Sequence, residues 1–184
     1  MRKLYIGIDN GTTGTIGWVG EGVHPTIIET PVRVEQSYTK SSKKTTRIDH
    51  ERLTALFKEI IGELDPSEVL VVMERPFTGS FTKFTKDENG GRKSRGGFVA
   101  NISAARAFEV TLVLVEQAKL PHEIVDSKQW QNVLLPTGIK GSDERKRASM
   151  DIGLRLFPDQ EKVITTHKDA DGLLIAEWAR RERL

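Results

Sequence analysis

Five consecutive apolar residues, Val69-Leu70-Val71-Val72-Met73, limit the folds open to this chain more than any other stretch. A strand with one wet face alternates apolar and polar residues. An unbroken run belongs to a strand buried on both faces, inside a sheet that carries helices on two sides. This run ends on a carboxylate, Glu74. The N-terminus repeats the pattern, with Leu4, Ile6 and Ile8 leading through a buried strand to Asp9. A Gly-Thr-Thr-Gly turn follows Asp9, and residues 15–19 read as a second strand paired to the first.

The remaining elements fit around these two strands. Residues 26–34 predict a third strand next to the opening hairpin, and the polar stretch 36–47 predicts a mobile loop. Leu53, Leu56, Phe57, Ile60 and Ile61 recur at helical spacing, with Asp49 as N-cap. No periodicity survives over 79–97. Residues 98–115 then carry two apolar helical faces, one through Phe98, Ile102, Ala105, Phe108, Leu112 and Val115, the other through Val99, Ala107, Val110 and Leu114. Such a helix needs two neighbours, its own sheet and another helix or subunit. A short strand through Ile124 and Val125, a helix over 128–135, a basic Gly-rich loop over 138–142 and a helix over 143–157 come next. The closing helix is expected from near Asp169 through Ala179. This order predicts an α/β fold in one domain, residues 1–184. Its sheet is mixed and its first three strands are antiparallel neighbours, with helices on both faces.

Composition removes several chemistries. The chain has no cysteine, which excludes disulfides, zinc–thiolate sites and thiol catalysis. Its formal charge is only +2, so clustering of basic residues matters more than their total. No stretch approaches the roughly 18 apolar residues of a membrane span, and the expectation is a soluble cytoplasmic protein without a membrane partner.

Asp9 and Glu74 each end a central strand, and Asp169 and Asp171 stand at the start of the last helix. Strand ends and helix N-termini are where an α/β sheet opens its binding crevice. Converging carboxylates with no thiol suit hard cations, Mg²⁺ with Mn²⁺ as substitute. Two such ions about 3.5–4 Å apart support phosphodiester hydrolysis. Each acid alone also has a plainer reading: Asp9 bonding the amides of its own turn, Asp169 capping the last helix.

The segments IGIDNGTTG, VVMERPF and HKDADGLLIAEWARR resemble the three signature segments of the RuvC-type Holliday junction resolvases, members of the RNase H-like (retroviral integrase-like) superfamily. KQWQNVLLPTG and the loop after it resemble most the bacteriophage-encoded branch. The likeness runs from about Lys3 to Arg181. It implies an Mg²⁺-dependent endodeoxyribonuclease that binds four-way junction DNA as a homodimer and cuts two symmetric strands, in the host cytoplasm if phage-encoded. Asp9, Glu74 and Asp171 match three of the family's four metal-binding groups. The fourth belongs three residues before the final Asp, where this chain has Lys168. His167 and Asp169 are the alternatives. On a regular helix Asp169 and Asp171 point about 200° apart, given 3.6 residues per turn, and share a metal only if the helix starts after Asp169.

The resemblance also gives Phe77 a role, stacking on an unpaired base at the crossover, and leaves Arg75 to touch phosphate or neutralise Glu74. Lys83, Lys86, Arg92, Lys93 and Arg95, interleaved with Phe81 and Phe84, suit a surface that tracks a DNA backbone. Lys128, Lys140, Arg145, Lys146 and Arg147 form a second basic set that would line a phosphate path. The opening Gly-Ile-Asp-Asn-Gly-Thr-Thr also resembles the phosphate loop of sugar kinases and actin-like ATPases. Those bind ATP between two such domains, and this chain has length for one. A silent DNA- or RNA-binding module and another RNase H-like nuclease, acting on branched DNA or RNA–DNA hybrids, are further alternatives.

Overall fold

The structure, a computed structural model, describes residues 3–37, 43–76, 84–86, 92–94 and 97–184. Five strands form the main sheet: Leu4–Ile8 (β1), Thr15–Gly20 (β2), Val23–Glu29 (β3), Val69–Glu74 (β6) and His122–Val125 (β9). Their order is β3-β2-β1-β6-β9. β1 and β2 pair antiparallel, as do β2 and β3, whereas β6 runs parallel to β1 and β9 parallel to β6. The mixed sheet with three antiparallel strands at its start is as the sequence predicts.

β6 is buried along its apolar run, and its alternate side chains enter two different cores. Val69, Val71 and Met73 join Leu4, Ile6, Ile8, Leu53 and Phe57, under the helices His50–Ile61 (α1) and Gly97–Gln117 (α2). Leu70 and Val72 join Tyr5, Trp130, Ile152 and Leu174. These lie under Ser127–Leu134 (α3), Ser142–Leu156 (α4), Glu161–His167 (α5) and Asp171–Glu182 (α6). Helices thus cover both faces. Among the described residues, no helix is long and apolar enough to cross a membrane.

Two local expectations change. The strand expected over 26–34 ends at Glu29, because Pro31 has no N–H to continue the ladder. Chain beyond it forms a separate hairpin, Val32–Gln36 (β4) with Lys44–Ile48 (β5), so the predicted loop over 36–47 is paired strand at its two ends, Gln36 and residues 44–47. The aperiodic stretch holds a second small hairpin, Phe84–Lys86 (β7) with Arg92–Ser94 (β8). On α2 the buried face cuts across the two expected apolar stripes, taking Val115 from one and Ala107 from the other. Ala107, Thr111 and Val115 are buried, while Ile102, Val110 and Val113 stay exposed.

α6 lies directly on the backbone of β1 and β2, and three glycines make this possible. A Cβ on Gly7 would stand 2.2 Å from the Gly172 carbonyl, and one on Gly17 would stand 2.4 Å from the Leu173 nitrogen. A Cβ on Gly172 would meet the Gly17 nitrogen at 2.8 Å. Close approach brings the first turn of α6 down to the sheet, where the Gly172 amide donates to Thr15 Oγ1 at 3.0 Å.

Candidate metal centre

Parallel pairing of β1 with β6 matches Ile8 to Met73, so Asp9 and Glu74 leave the sheet side by side at the same end. α5 ends at His167, and Lys168 turns the chain through the left-handed region at φ 70°. α6 begins only at Asp171, with Ala170 at the N-cap position and no side-chain cap. The closing helix therefore starts two residues later than the sequence predicts, after a short helix that its pattern does not announce. Asp169 lies outside the helix, and the geometric objection to its meeting Asp171 disappears.

Oxygens of Asp9, Asp169 and Asp171 all lie within 4.8 Å of one another. Glu74 does not join that set, although its charge acts on both Asp9 and Asp171. His167 stands behind Asp169: its Nε2 lies 3.7 Å from Asp169 Oδ2, and its Nδ1 lies 3.6 Å from Glu29. Asp169 itself is buried, and Lys146 Nζ approaches it at 3.7 Å. Of the two alternatives for a fourth group, Asp169 is the one inside the carboxylate cluster.

Crowding leaves a clear electrostatic signature. Burial, followed by the charges of Asp171, Glu74 and Asp169, pushes the Asp9 carboxyl well above the usual range, with Lys146 opposing. Burial and then Asp169 push Asp171 up to about 7, against a hydrogen bond from Ser149 Oγ to Asp171 Oδ1 at 2.5 Å. Glu74 is also raised by burial, and the indole of Trp130, whose Nε1 donates to Glu74 Oε2 at 2.7 Å, works the other way. Hard oxygen donors held together against their own repulsion fit a divalent cation such as Mg²⁺ or Mn²⁺.

These shifts set the stability of the metal-free protein. A carboxyl with its folded pKa raised stabilises the fold fully below its unfolded value near 4, and that contribution is lost as pH rises through about 7. Melts in EDTA are therefore expected to lose on the order of 5 °C between pH 5 and pH 8. Millimolar Mg²⁺ should restore stability at pH 8 and do little at pH 5. A melting temperature flat in pH and indifferent to Mg²⁺ would contradict the clustering.

Three supporting groups escaped the sequence reading. Trp130 is fully buried and fixes one oxygen of Glu74. Ser149 holds Asp171 and accepts from the Ala170 amide at 3.0 Å. Thr15 receives the first turn of α6. None carries a periodic or spacing signal. Trp130 lies in KQWQNVLLPTG, a segment distinctive enough to be singled out, but its hydrogen-bond partner is visible only in the fold.

The expected DNA-contacting residues are spread over two regions. Arg75 pairs with Asp126, the N-cap of α3, through Nη2 at 2.6 Å and Nε at 3.2 Å, and not with Glu74. Lys128 is exposed in the first turn of α3, Lys140 in the loop before α4, and Lys146 reaches Asp169 from α4. Phe77, Lys83 and Arg95 lie outside the described residues. Lys86, Arg92 and Lys93 fall on the small hairpin β7–β8.

No protein-family model matches the sequence, and no curated protein matches it significantly. Solved structures do. RuvC of T. thermophilus, determined in complex with a Holliday junction substrate, aligns at 17% identity and a TM-score of 0.54, over 98% of this chain and 96% of the other. A second structure of Thermus thermophilus RuvC aligns at 17% identity and a TM-score of 0.49, over the same shares. The junction-bound relative supports the fold and does not reach the bacteriophage branch. With its strand order, its mixed pairing and helices on both faces, the chain has the RNase H-like fold of RuvC.

Proposed function

We propose that this protein is a metal-dependent endonuclease that resolves four-way DNA junctions, cutting two symmetric strands by phosphodiester hydrolysis. The observation that carries the reading is the convergence of Asp9, Asp169 and Asp171 at one end of a RuvC-like sheet, with Glu74 leaving the neighbouring strand beside them. Asp9, Asp169 and Asp171 would hold the ions, with Glu74 adding a carboxylate oxygen from the neighbouring strand. Mg²⁺, or Mn²⁺ in its place, supplies Lewis-acid stabilisation of the charge that builds on a phosphodiester under attack by water. His167 is the supporting neighbour of Asp169, and Lys146 balances charge next to it.

The rest of the surface fits the same substrate. Lys146, beside Asp169, would follow a phosphate backbone together with Lys128, Lys140, Lys83, Lys86, Arg92, Lys93 and Arg95. Phe77 follows Glu74 by three residues and would stack on an unpaired base, a contact worth about 1–3 kcal/mol in single-strand binders. A junction with near two-fold symmetry requires two active sites. The exposed Ile102, Val110 and Val113 face of α2 gives an isologous homodimer its seam. The likeness of KQWQNVLLPTG favours a phage enzyme working in the host cytoplasm.

Trp130 should position Glu74 by occupying one of its oxygens and leaving the other free. Loss of such an outer hydrogen bond weakens metal binding by about 10–100-fold. Trp130→Phe is therefore expected to raise the Mg²⁺ concentration needed for thermal stabilisation by that factor. Calorimetric titration showing unchanged affinity would remove the role.

The deciding experiment is a cleavage assay on a mobile four-way junction with Mg²⁺, beside duplex, fork and RNA–DNA hybrid controls. Symmetric nicks confined to the junction support the proposal. Preferred cutting of hybrid or fork would move the protein to another RNase H-like activity. ATP turnover without DNA would overturn the nuclease reading in favour of a kinase-like one.

A further inference from the structure

A cavity beside Asp171 adjoins a second, larger one further from the carboxylates. The inner one, about 150 Å³, is lined by Asp171 with Gln131, Ser142, Arg145 and Lys146. The outer one, about 330 Å³, lies between α3 and the loop before α4, with Lys128, Gln131, Asn132, Thr137 and Arg145 around it. Gln131, Leu135 and Arg145 line both, so they are compartments of a single cleft that runs outward from the carboxylates.

Their chemistry differs along the cleft. The inner compartment combines two cationic side chains, a hydroxyl and an amide, a set that receives a phosphate. The outer compartment has an apolar floor from Leu135 and Ile139, a cation at each side and two side-chain amides. Its size falls at the lower end of small-ligand sites, which run to about 300–1,000 Å³.

Helix geometry places the amides together. Gln131 and Asn132 follow Lys128 by three and four residues, and so share the face of α3 opposite the buried Trp130. The Gln131 side chain is half-buried yet makes no hydrogen bond among the described residues. A primary amide offers a donor and an acceptor side by side, the pattern that pairs with the edge of a nucleobase.

We propose that this cleft seats the nucleotide next to the cleaved phosphodiester, and that Gln131 and Asn132 read its base. α3 would then set the nucleotide preference of cleavage. The inference rests on the nuclease reading and deepens it. Arg145 and Lys128 hold the flanking phosphates without regard to sequence, while the amides discriminate.

The test is cleavage of four-way junctions randomised at the positions flanking the cut, with the cut ends sequenced. The wild-type protein should show a base preference next to the cut. In the Gln131→Ala/Asn132→Ala double variant that preference should flatten by about ten-fold, the effect of losing one good amide–base pair. Stabilisation by Mg²⁺ should be unchanged in the variant. Lys128→Ala should instead weaken junction binding equally for all sequences. A preference that survives the double substitution, or no preference in the wild type, overturns the proposal. A second measurement separates it from the nuclease reading. Side-chain amide resonances of Gln131, followed by NMR during titration with short single-stranded oligonucleotides, should shift differently for different bases. Base-dependent shifts in a protein that cuts no DNA would uphold the cleft and sink the nuclease. Absence of shifts would sink the cleft whatever the protein cuts.

Discussion

Asp9→Asn is expected to abolish junction cleavage while leaving four-way junction binding within a few-fold of the wild type. Asp9 is one of three carboxylates within 4.8 Å of one another, and an amide neither carries their charge nor binds a hard cation comparably. Metal assistance contributes several kcal/mol to a phosphodiester transition state, so its loss corresponds to a rate fall of about 10³-fold or more. On the proposed reading, DNA affinity would come from lysines and arginines elsewhere, which the substitution leaves in place. The same change should raise the melting temperature of the metal-free protein above neutral pH, because Asp9 is forced to ionise against burial and three neighbouring acids. Gel-shift and cleavage assays on one junction separate the two effects. Joint loss of binding, cleavage and stability would mean that Asp9 maintains the fold.

Gly17→Ala is expected to be strongly damaging for so small a substitution. The added methyl would stand 2.4 Å from the Leu173 nitrogen and 2.6 Å from the Gly172 carbonyl carbon, both backbone atoms of α6. No rotamer relieves that contact. The helix has to lift from the sheet, at a cost of about 3 kcal/mol or more, or roughly 10 °C in melting temperature. Asp171 moves with the helix, so metal-dependent stabilisation should fall as well. Gly11→Ala is the matched control, since its nearest contacts lie at 3.9 Å and its effect should stay within about 0.5 kcal/mol. Equal melting temperatures for the two variants would show that α6 has slack against the sheet.

The sheet was legible because its strands differ in kind. β6 announces double-sided burial by five apolar residues in a row, and β1 places Asp9 where that burial ends. The β4–β5 hairpin was not legible. Its second strand, Lys44-Thr-Thr-Arg-Ile, buries only Ile48, and a sequence that polar offers no periodicity to read. The site was legible at Asp9 and Asp171, which terminate or begin core elements. The place of Asp169 was not, because it depends on Lys168 adopting a left-handed conformation uncommon for a residue with a side chain. A glycine there would have marked the helix break. Trp130 and Ser149 lay beyond sequence reasoning for a different reason. Each supports a carboxylate from a distant part of the chain, 56 residues away for Trp130 and 22 for Ser149.

The seating of α6 on Gly7 and Gly17 has a consequence for biosynthesis. Asp9 leaves the ribosome well before Asp169, Asp171 and the helix that covers β1 and β2, which lie far later in the sequence. A nascent chain lacking the residues of α6 has two glycine-bearing strands with their shared face uncovered and only two members of the carboxylate trio, Asp9 and Asp169. Contacts spanning that much of the chain form late and slowly. On the proposed reading, a product truncated before α6 would keep the basic surfaces meant for DNA and lack the complete carboxylate cluster needed to cut.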